Sequence, residues 1–254
     1  MTDARESNSL FVEPWQVERL EDCYFYHTIE LPDLGVQKGH WDLRTRFDDY
    51  IGGVDVRGKS VLDVGTATGF LSFEAEARGA SRVLSFDMSD VRQQAIVPFK
   101  GKLYIYDQHD AWIRKWKNAY WLCHRLLNSK ADVYYGNIYA LPQELGQFDI
   151  TIVGAVLEHL VDPVSALISI ARLTRERMVL VTPLIESNEK IARFEPNADR
   201  PEADFTWWTY SVGLYRELLR ILGFEIEKIT RANYYHEFAG RMEERASLVA
   251  VRAA

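Results

Sequence analysis

Cysteine is nearly absent from the chain. Cys23 and Cys123 are the only two among 254 residues, too few for a disulfide framework or a four-sulfur metal site. No stretch approaches the ~20 consecutive apolar residues of a membrane-spanning helix. Residues 1–8 are polar and lack the apolar core of a signal peptide, so the cytoplasm is the expected location. Positive charge is not in excess: the formal net charge is −7. That balance argues against a chain built to hold nucleic acid. Histidine, aspartate and glutamate show no recognisable ligand spacing, so no metal is expected. There is no internal repeat, no low-complexity tract and no linker that splits the chain. Hydrophobic residues make up 47%, enough apolar surface to offset the entropy of ordering. The length suits one large core with additions.

From about residue 54 a regular alternation begins. Short apolar runs at 59–65, 81–87, 132–135, 147–154 and 178–182 read as buried parallel strands. Residues 69–77 carry Phe70, Leu71, Phe73 and Ala77 at helical spacing, and Gly79 is a helix stop. Residues 111–127 read as a helix capped by Asp110. Asp162 and Pro163 open another, with acid as N-cap and proline in the first turn. Residues 211–222 form an amphipathic helix closed by Gly223. The last runs, 224–230 and 246–252, have no helix between them and are expected to form an antiparallel hairpin. The pattern predicts an α/β fold, a Rossmann-like sheet of seven mostly parallel strands with helices on both faces.

In such a sheet, ligands sit beyond the carboxyl ends of the strands. The first of those ends is Asp63-Val64-Gly65-Thr66-Ala67-Thr68-Gly69. A glycine there lets the backbone approach a ligand, and the following helix offers its free N–H groups. The dinucleotide fingerprint is broken by Ala67 and Phe70, and the Gly-Lys-Ser/Thr of a phosphate loop is missing. Asp63 could accept hydrogen bonds from an amino group but would repel a pyrophosphate. Asp87 closes the second strand, where a carboxylate can accept ribose hydroxyl protons. Each piece alone is an ordinary turn or cap. In order, they point to a nucleoside site.

These residues, with Gly136-Asn137-Ile138-Tyr139-Ala140-Leu141-Pro142, Phe148-Asp149 and 156–163, resemble the class I S-adenosylmethionine-dependent methyltransferases over residues 61–183. The resemblance implies that Gly65, Thr66, Ala67 and Gly69 flank the methionine part of the cofactor. It further implies that Asp87 binds the ribose, that Met88 packs on the adenine, and that Asn137 and Ile138 meet the adenine edge. Gly154 joins this set. Ala67 replaces a common glycine and Asn137 a common aspartate. Upstream, residues 26–32 and 39–44 are similar to the N-terminal segment of the tRNA wobble-uridine carboxymethyl transferase family and its small-molecule relatives. The implied activity is methylation of a small molecule at oxygen, nitrogen or carbon. A tRNA-modifying transferase and a non-catalytic cofactor-binding protein are the alternatives.

Methyl transfer needs a lone pair in line with the methyl group, and a base only when the acceptor is protonated. His159, just after the fourth strand, is the candidate base; it could equally shape the cofactor pocket. His124 fits a structural role, and His109 and His236 lie in insertions. Trp207, Trp208 and Tyr210 follow the fifth strand, where they could sandwich a substrate or simply pack under the next helix. Residues 92–121 hold Lys100, Lys102, Tyr104, Tyr106, Arg114, Lys115 and Lys117, either a solvated face or an RNA-binding surface. The boundaries are a cap or lid at 1–53 and a catalytic domain at 54–254, with insertions near 92–130 and 184–210. Val17, Leu20 and Tyr24 predict a short helix in the cap. Tyr26, His27 and Trp41 are expected near the active site, and residues 1–10 are expected to be dispensable. His40 shares that segment.

Overall fold

The computed structural model describes residues 10–98, 106–200 and 205–253. The expected dispensability of residues 1–9, and the side chains of Lys100, Lys102, Tyr104 and Tyr106, fall outside that description.

The segment before residue 54 opens in an extended conformation, broken by one 3-10 turn at Leu20–Asp22. The helix expected from Val17, Leu20 and Tyr24 is not formed. Its backbone groups find partners elsewhere: the Val12 N–H donates to the Val133 carbonyl and the Tyr24 N–H to the Lys115 carbonyl. A hairpin of β1 (Ile29–Leu31) and β2 (Gly35–Gln37) follows, then β3 (Trp41–Asp42) and the single turn α1 (Phe47–Tyr50).

Next come β4 (Ser60–Val64), α2 (Phe70–Ala77), β5 (Arg82–Met88), α3 (Tyr106–Leu126), β6 (Asp132–Gly136) and β7 (Phe148–Gly154). The helix α3 begins before Asp110. That residue therefore does not cap it; its carboxylate pairs with Arg114 one turn on, at 3.2 Å. Asp162 does cap α4 (Pro163–Leu173), accepting the Ser165 N–H at 2.9 Å. The chain passes directly into β8 (Thr174–Thr182), which starts four residues earlier than its apolar run suggests. Its polar start is held by the buried hydroxyl contact between Thr174 and Thr151, at 2.7 Å.

A three-stranded patch then forms from β9 (Leu184–Ile185), β10 (Ala192–Phe194) and β11 (Trp208–Ser211). The amphipathic α5 (Val212–Ile221) is capped by the Ser211 hydroxyl. The chain ends in β12 (Phe224–His236) and β13 (Arg241–Arg252). This hairpin is longer than expected at both inner ends. Tyr234 is buried between exposed neighbours, but most other side chains of 231–236 and 241–245 are polar and partly or fully exposed, so the sequence there gives little sign of a half-buried strand.

The main sheet runs β3-β12-β13-β8-β7-β4-β5-β6. Its five central and outer strands β8, β7, β4, β5 and β6 are parallel, and β13, β12 and β3 join by antiparallel pairings. Eight strands stand where seven were expected. The extra one, β3, comes from the N-terminal segment and pairs Trp41 with His236. Alternate strand residues face opposite ways. Val61, Val83, Ile150 and Val179 pack toward α2, α3 and the N-terminal segment. Leu62, Leu84, Val153 and Leu180 pack toward α4 and α5.

Val17, Phe25, Ile29, Leu31 and Leu43 are buried in the first of these clusters, continuous with the sheet residues. Residues before 54 thus share the domain's core. Leu43 is 1% exposed, and Leu43→Ala should cost about 2–5 kcal/mol, as for a central core leucine. Urea unfolding checks this. A loss below about 1 kcal/mol would mean that the segment only rests on the surface.

Candidate active site

The turn after β4 is built from left-handed residues. Gly65, Ala67 and Gly69 have φ of 79°, 50° and 89°. Gly65 also permits a close approach, since a Cβ there would lie 2.4 Å from Val156 Cγ2. Ala67 adopts a conformation that costs an L-residue about 1–2 kcal/mol. Asp87, at the end of β5, holds it there: Oδ2 accepts the Ala67 N–H at 2.8 Å, and Oδ1 accepts the Met88 N–H at 2.7 Å. The Gly65 and Thr66 N–H groups both donate to the Phe86 carbonyl at 2.9 Å.

Over this turn lies a cleft of about 890 Å³, its mouth included. Gly65, Ala67 and Asp87 form one side. Met88, Gly136 and Ile138 form a largely apolar shelf. Gly154, Ala155, Val156 and His159 close the side that follows β7. Tyr26 and His27 come from the N-terminal segment, and Trp116 from α3. A wider groove over the outer face of α2, lined by Glu30, Arg44, Glu74 and Glu76, lies away from this convergence.

Among the residues singled out from the sequence, the cleft gathers Tyr26, His27, Gly65, Ala67, Asp87, Met88, Ile138, Gly154 and His159. Others stand behind it. Asp63 is fully buried under the turn, where Oδ2 accepts the Ser72 hydroxyl at 2.7 Å and Oδ1 has no partner. Thr66 is buried beside it, 3.2 Å from the Ser72 hydroxyl. Gly69 is the N-cap of α2. Asn137 is exposed, and its side-chain oxygen accepts the Tyr139 N–H at 3.0 Å. Trp207 and Trp208 bracket the loop after β7 instead of lining the cleft. The indole N–H groups donate to the Ala95 and Val161 carbonyls, at 2.7 and 3.1 Å. Tyr210 is buried against Tyr215. Trp41 lines a small adjoining chamber.

Sequence reasoning passed over Trp116, Gln93, Gln94 and Ala155, all on the cleft wall. The first three precede or sit on α3, in a stretch with no motif. Ala155 gives no signal in sequence, yet its φ of 52° marks a sharp turn directly after β7.

Burial sets the electrostatics. It pushes the Asp63 carboxyl up to about 6, against the hydrogen bonds from Ser72 and Thr66. Asp87 is also raised, by burial, although the Met88 and Ala67 N–H groups work in the opposite direction. Burial, helped by His40, drives His27 down to about 3 and keeps it neutral. The His159 Nδ1 lies 2.7 Å from the Phe205 carbonyl. A carbonyl can only accept, so Nδ1 carries the hydrogen in the neutral ring and Nε2 keeps a free lone pair. Among the described residues, no group of three or more His, Cys, Asp or Glu is placed to hold a metal ion. None of the described helices is long and apolar enough to cross a membrane.

Comparison with known proteins gives a consistent picture. The model of a family described as a methyltransferase domain matches residues 42–229. A ribosomal protein L11 methyltransferase of Deinococcus radiodurans is 34% identical over 80 residues, which cover 32% of this chain. The match spans only 29% of that relative's length. Among solved structures, the 1,6-didemethyltoxoflavin-N1-methyltransferase of Burkholderia thailandensis, with its substrate and S-adenosylhomocysteine bound, superimposes with a TM-score of 0.53 at 17% identity. That likeness covers 84% of this chain and 78% of that one. The magnesium protoporphyrin IX methyltransferase of Synechocystis, with S-adenosylmethionine bound, gives 0.52 at 17% identity, covering 83% and 78%. At these identities the structures establish a shared fold.

The raised Asp63 carboxyl makes a pH prediction. The native state holds this proton at pH values where the unfolded chain has lost it. The group's contribution to stability therefore falls as the pH rises from about 4 through about 6. Asp63→Asn removes that titration. The stability of wild type relative to the variant should fall by up to about 3 kcal/mol across this window, read from urea unfolding at each pH. A flat difference would show that Asp63 titrates normally.

Proposed function

The chain belongs to the methyltransferase-domain family, and on that footing we propose that it transfers a methyl group from S-adenosylmethionine to a small molecule in the cleft. The observation that carries the cofactor assignment is Asp87. It is a carboxylate on the cleft wall at the end of β5, next to an apolar shelf of Met88 and Ile138. A nucleoside needs that pairing of a hydroxyl acceptor with a flat apolar surface.

The residues present fit the group. Each Asp87 oxygen accepts one backbone N–H and retains a lone pair for a ribose hydroxyl. Met88 would pack on the adenine and Ile138 would meet its edge, since both line the cleft beside Asp87. Gly65 lacks the Cβ that would collide with Val156, and its backbone lines the cleft where the methionine portion would lie. When bound, S-adenosylmethionine supplies an electrophilic methyl group on a sulfonium. Tyr26 and His27 cover the cleft from the N-terminal side and exclude water from it. His159, fixed through Nδ1 by Phe205, presents Nε2 as a base for an acceptor hydroxyl or ammonium.

A nucleic-acid acceptor has less support. The basic residues of α3 are engaged internally: Arg114 with Asp110, Lys115 with the Glu21 carbonyl, and Lys117 with the Ser89 carbonyl. Lys117 also sits 4.2 Å above the Tyr135 ring. These charges fasten the N-terminal segment and the β5 loop.

Calorimetry with S-adenosylhomocysteine tests the cofactor, and release of that product across a panel of small molecules tests turnover. Asp87→Ala should weaken cofactor binding by about 1.5–3 kcal/mol, the scale of charge-assisted hydrogen bonds. Unchanged affinity in a folded variant removes Asp87 from the ribose. His159→Ala should slow the chemical step by roughly 10²–10⁴-fold with cofactor affinity little changed. Lost affinity with intact chemistry would instead make His159 a pocket-shaping residue.

A further inference from the structure

Beside the cleft lies a second, more enclosed chamber of about 280 Å³, counting every gap between its walls. The two share Tyr26, His27 and Ala155. The chamber is closed by elements far apart in sequence: Trp41 and Leu43 of the N-terminal segment, Tyr50 of α1, and Tyr234 and Arg245 of the terminal hairpin. Ala155, which turns sharply after β7, stands between the two spaces at the start of the loop that carries His159.

The walls hold polar groups without protein partners. His27 Nδ1 is buried and unpaired. The Tyr234 hydroxyl is likewise buried and unpaired, and the Tyr50 hydroxyl stands on the same wall, 3.1 Å from where a Cβ on Gly154 would lie. Buried polar atoms left unpaired are rare in native proteins and call for a ligand or water. Arg245 brings a full charge. Its guanidinium donates to the Glu244 carbonyl at 3.0 Å and to Glu243 Oε2 at 3.1 Å, and it lies 4.9 Å above the Trp41 ring. An arginine has five N–H donors, so three remain without a partner among the described residues.

Resting on the methyl-transfer reading, we propose that this chamber receives the head group of the acceptor and that the head group is a carboxylate, bound by Arg245 with the Tyr50 hydroxyl and His27 Nδ1. Among the described residues, Arg245 is the charged side chain on the chamber wall. An ammonium there would face a guanidinium and no wall carboxylate. Glu243 already offsets part of the arginine's charge, which suits one negative charge better than the two of a phosphate. Glu158 stands outside the wall, near the Thr182 hydroxyl at 3.5 Å. Its charge and that of Arg245 act with opposite sign on the Tyr26 and Tyr50 phenols. His27 is neutral and serves as a hydrogen-bonding group, not a second cation. With the carboxylate anchored here, the rest of the acceptor extends past Ala155 into the cleft, toward His159.

The test uses the full chain saturated with S-adenosylhomocysteine. Benzoate, benzamide and benzylamine share a ring and differ in head group, and their binding is read by saturation-transfer NMR titration. Benzoate should bind saturably, and the other two at least about tenfold more weakly. Arg245→Met preserves the packing on Trp41 and should weaken benzoate by about tenfold or more, the effect of losing a charge-assisted hydrogen bond. Its affinity for S-adenosylhomocysteine should be unchanged. Tyr50→Phe, which keeps the ring, should weaken benzoate severalfold and decides the matter if the arginine variant does not fold. Failure of S-adenosylhomocysteine to bind overturns the methyl-transfer reading. Normal cofactor binding with no benzoate binding, with benzylamine preferred, or with both variants binding benzoate as wild type does, overturns the carboxylate pocket alone.

Discussion

The site depends on one carboxylate holding one turn. Asp87 reaches from the end of β5 to the Ala67 N–H and keeps that residue left-handed. The direction of the chain into α2 follows from it, and so does the close packing of Val156 on Gly65. A buried hydrogen-bonded chain supports the turn from below: Tyr120 donates to Ser85, whose hydroxyl contacts Ser72, which donates to Asp63. Carboxylates in so dry a setting resist ionisation, and both Asp63 and Asp87 are displaced upward by burial. The backbone N–H groups on Asp87 oppose that displacement. The turn and the carboxylate therefore stabilise each other, and a ligand at Asp87 meets an oxygen pair already fixed in direction.

The N-terminal segment has two roles that the same residues serve. Phe25 and Ile29 close the core over α2 and α3, while Tyr26 and His27 between them face the cleft. The chain bends at Tyr26, so two successive residues can line the cavity while Phe25 and Ile29 on either side seal the core. Gly39 is needed for this arrangement, because a Cβ there would meet the His27 backbone at 2.4 Å. The tip of the terminal hairpin fastens the same region from outside. Phe238 lies 4.3 Å from the His40 ring, and the Glu237 N–H donates to the His40 carbonyl.

Much of this was legible in sequence wherever one face of an element is buried and its period survives. The parallel strands, α2, α4 with its Asp162 cap and α5 all follow that rule. The failures have physical causes. Val17, Leu20 and Tyr24 have helical spacing, but their segment is extended because α3 and β6 offer its backbone better partners. The inner hairpin ends bury Tyr234 among mostly polar residues, too few apolar positions to show a period in the sequence. In the site, the residues at strand ends were legible because topology puts them there. Asn137 and the Trp207-Trp208 pair were not, because local hydrogen bonds direct them elsewhere. Trp116 and Arg245 reach the cavities only through tertiary folding, which no local pattern encodes.

The pairing of β3 with β12 has a consequence for how the protein is made. Trp41 finds its strand partner at His236, most of the chain later. On the ribosome, the segment carrying Tyr26 and His27 emerges early and can meet α3 and β6, but β3 has no strand partner until β12 has been synthesised. Contacts between such distant parts of a chain form late, because a large loop must close first. The parallel strands and their helices can gather while synthesis continues. Until β12 has formed, the cover over the cleft lacks its strand partner, so a chain interrupted before that hairpin would carry an open, water-filled site.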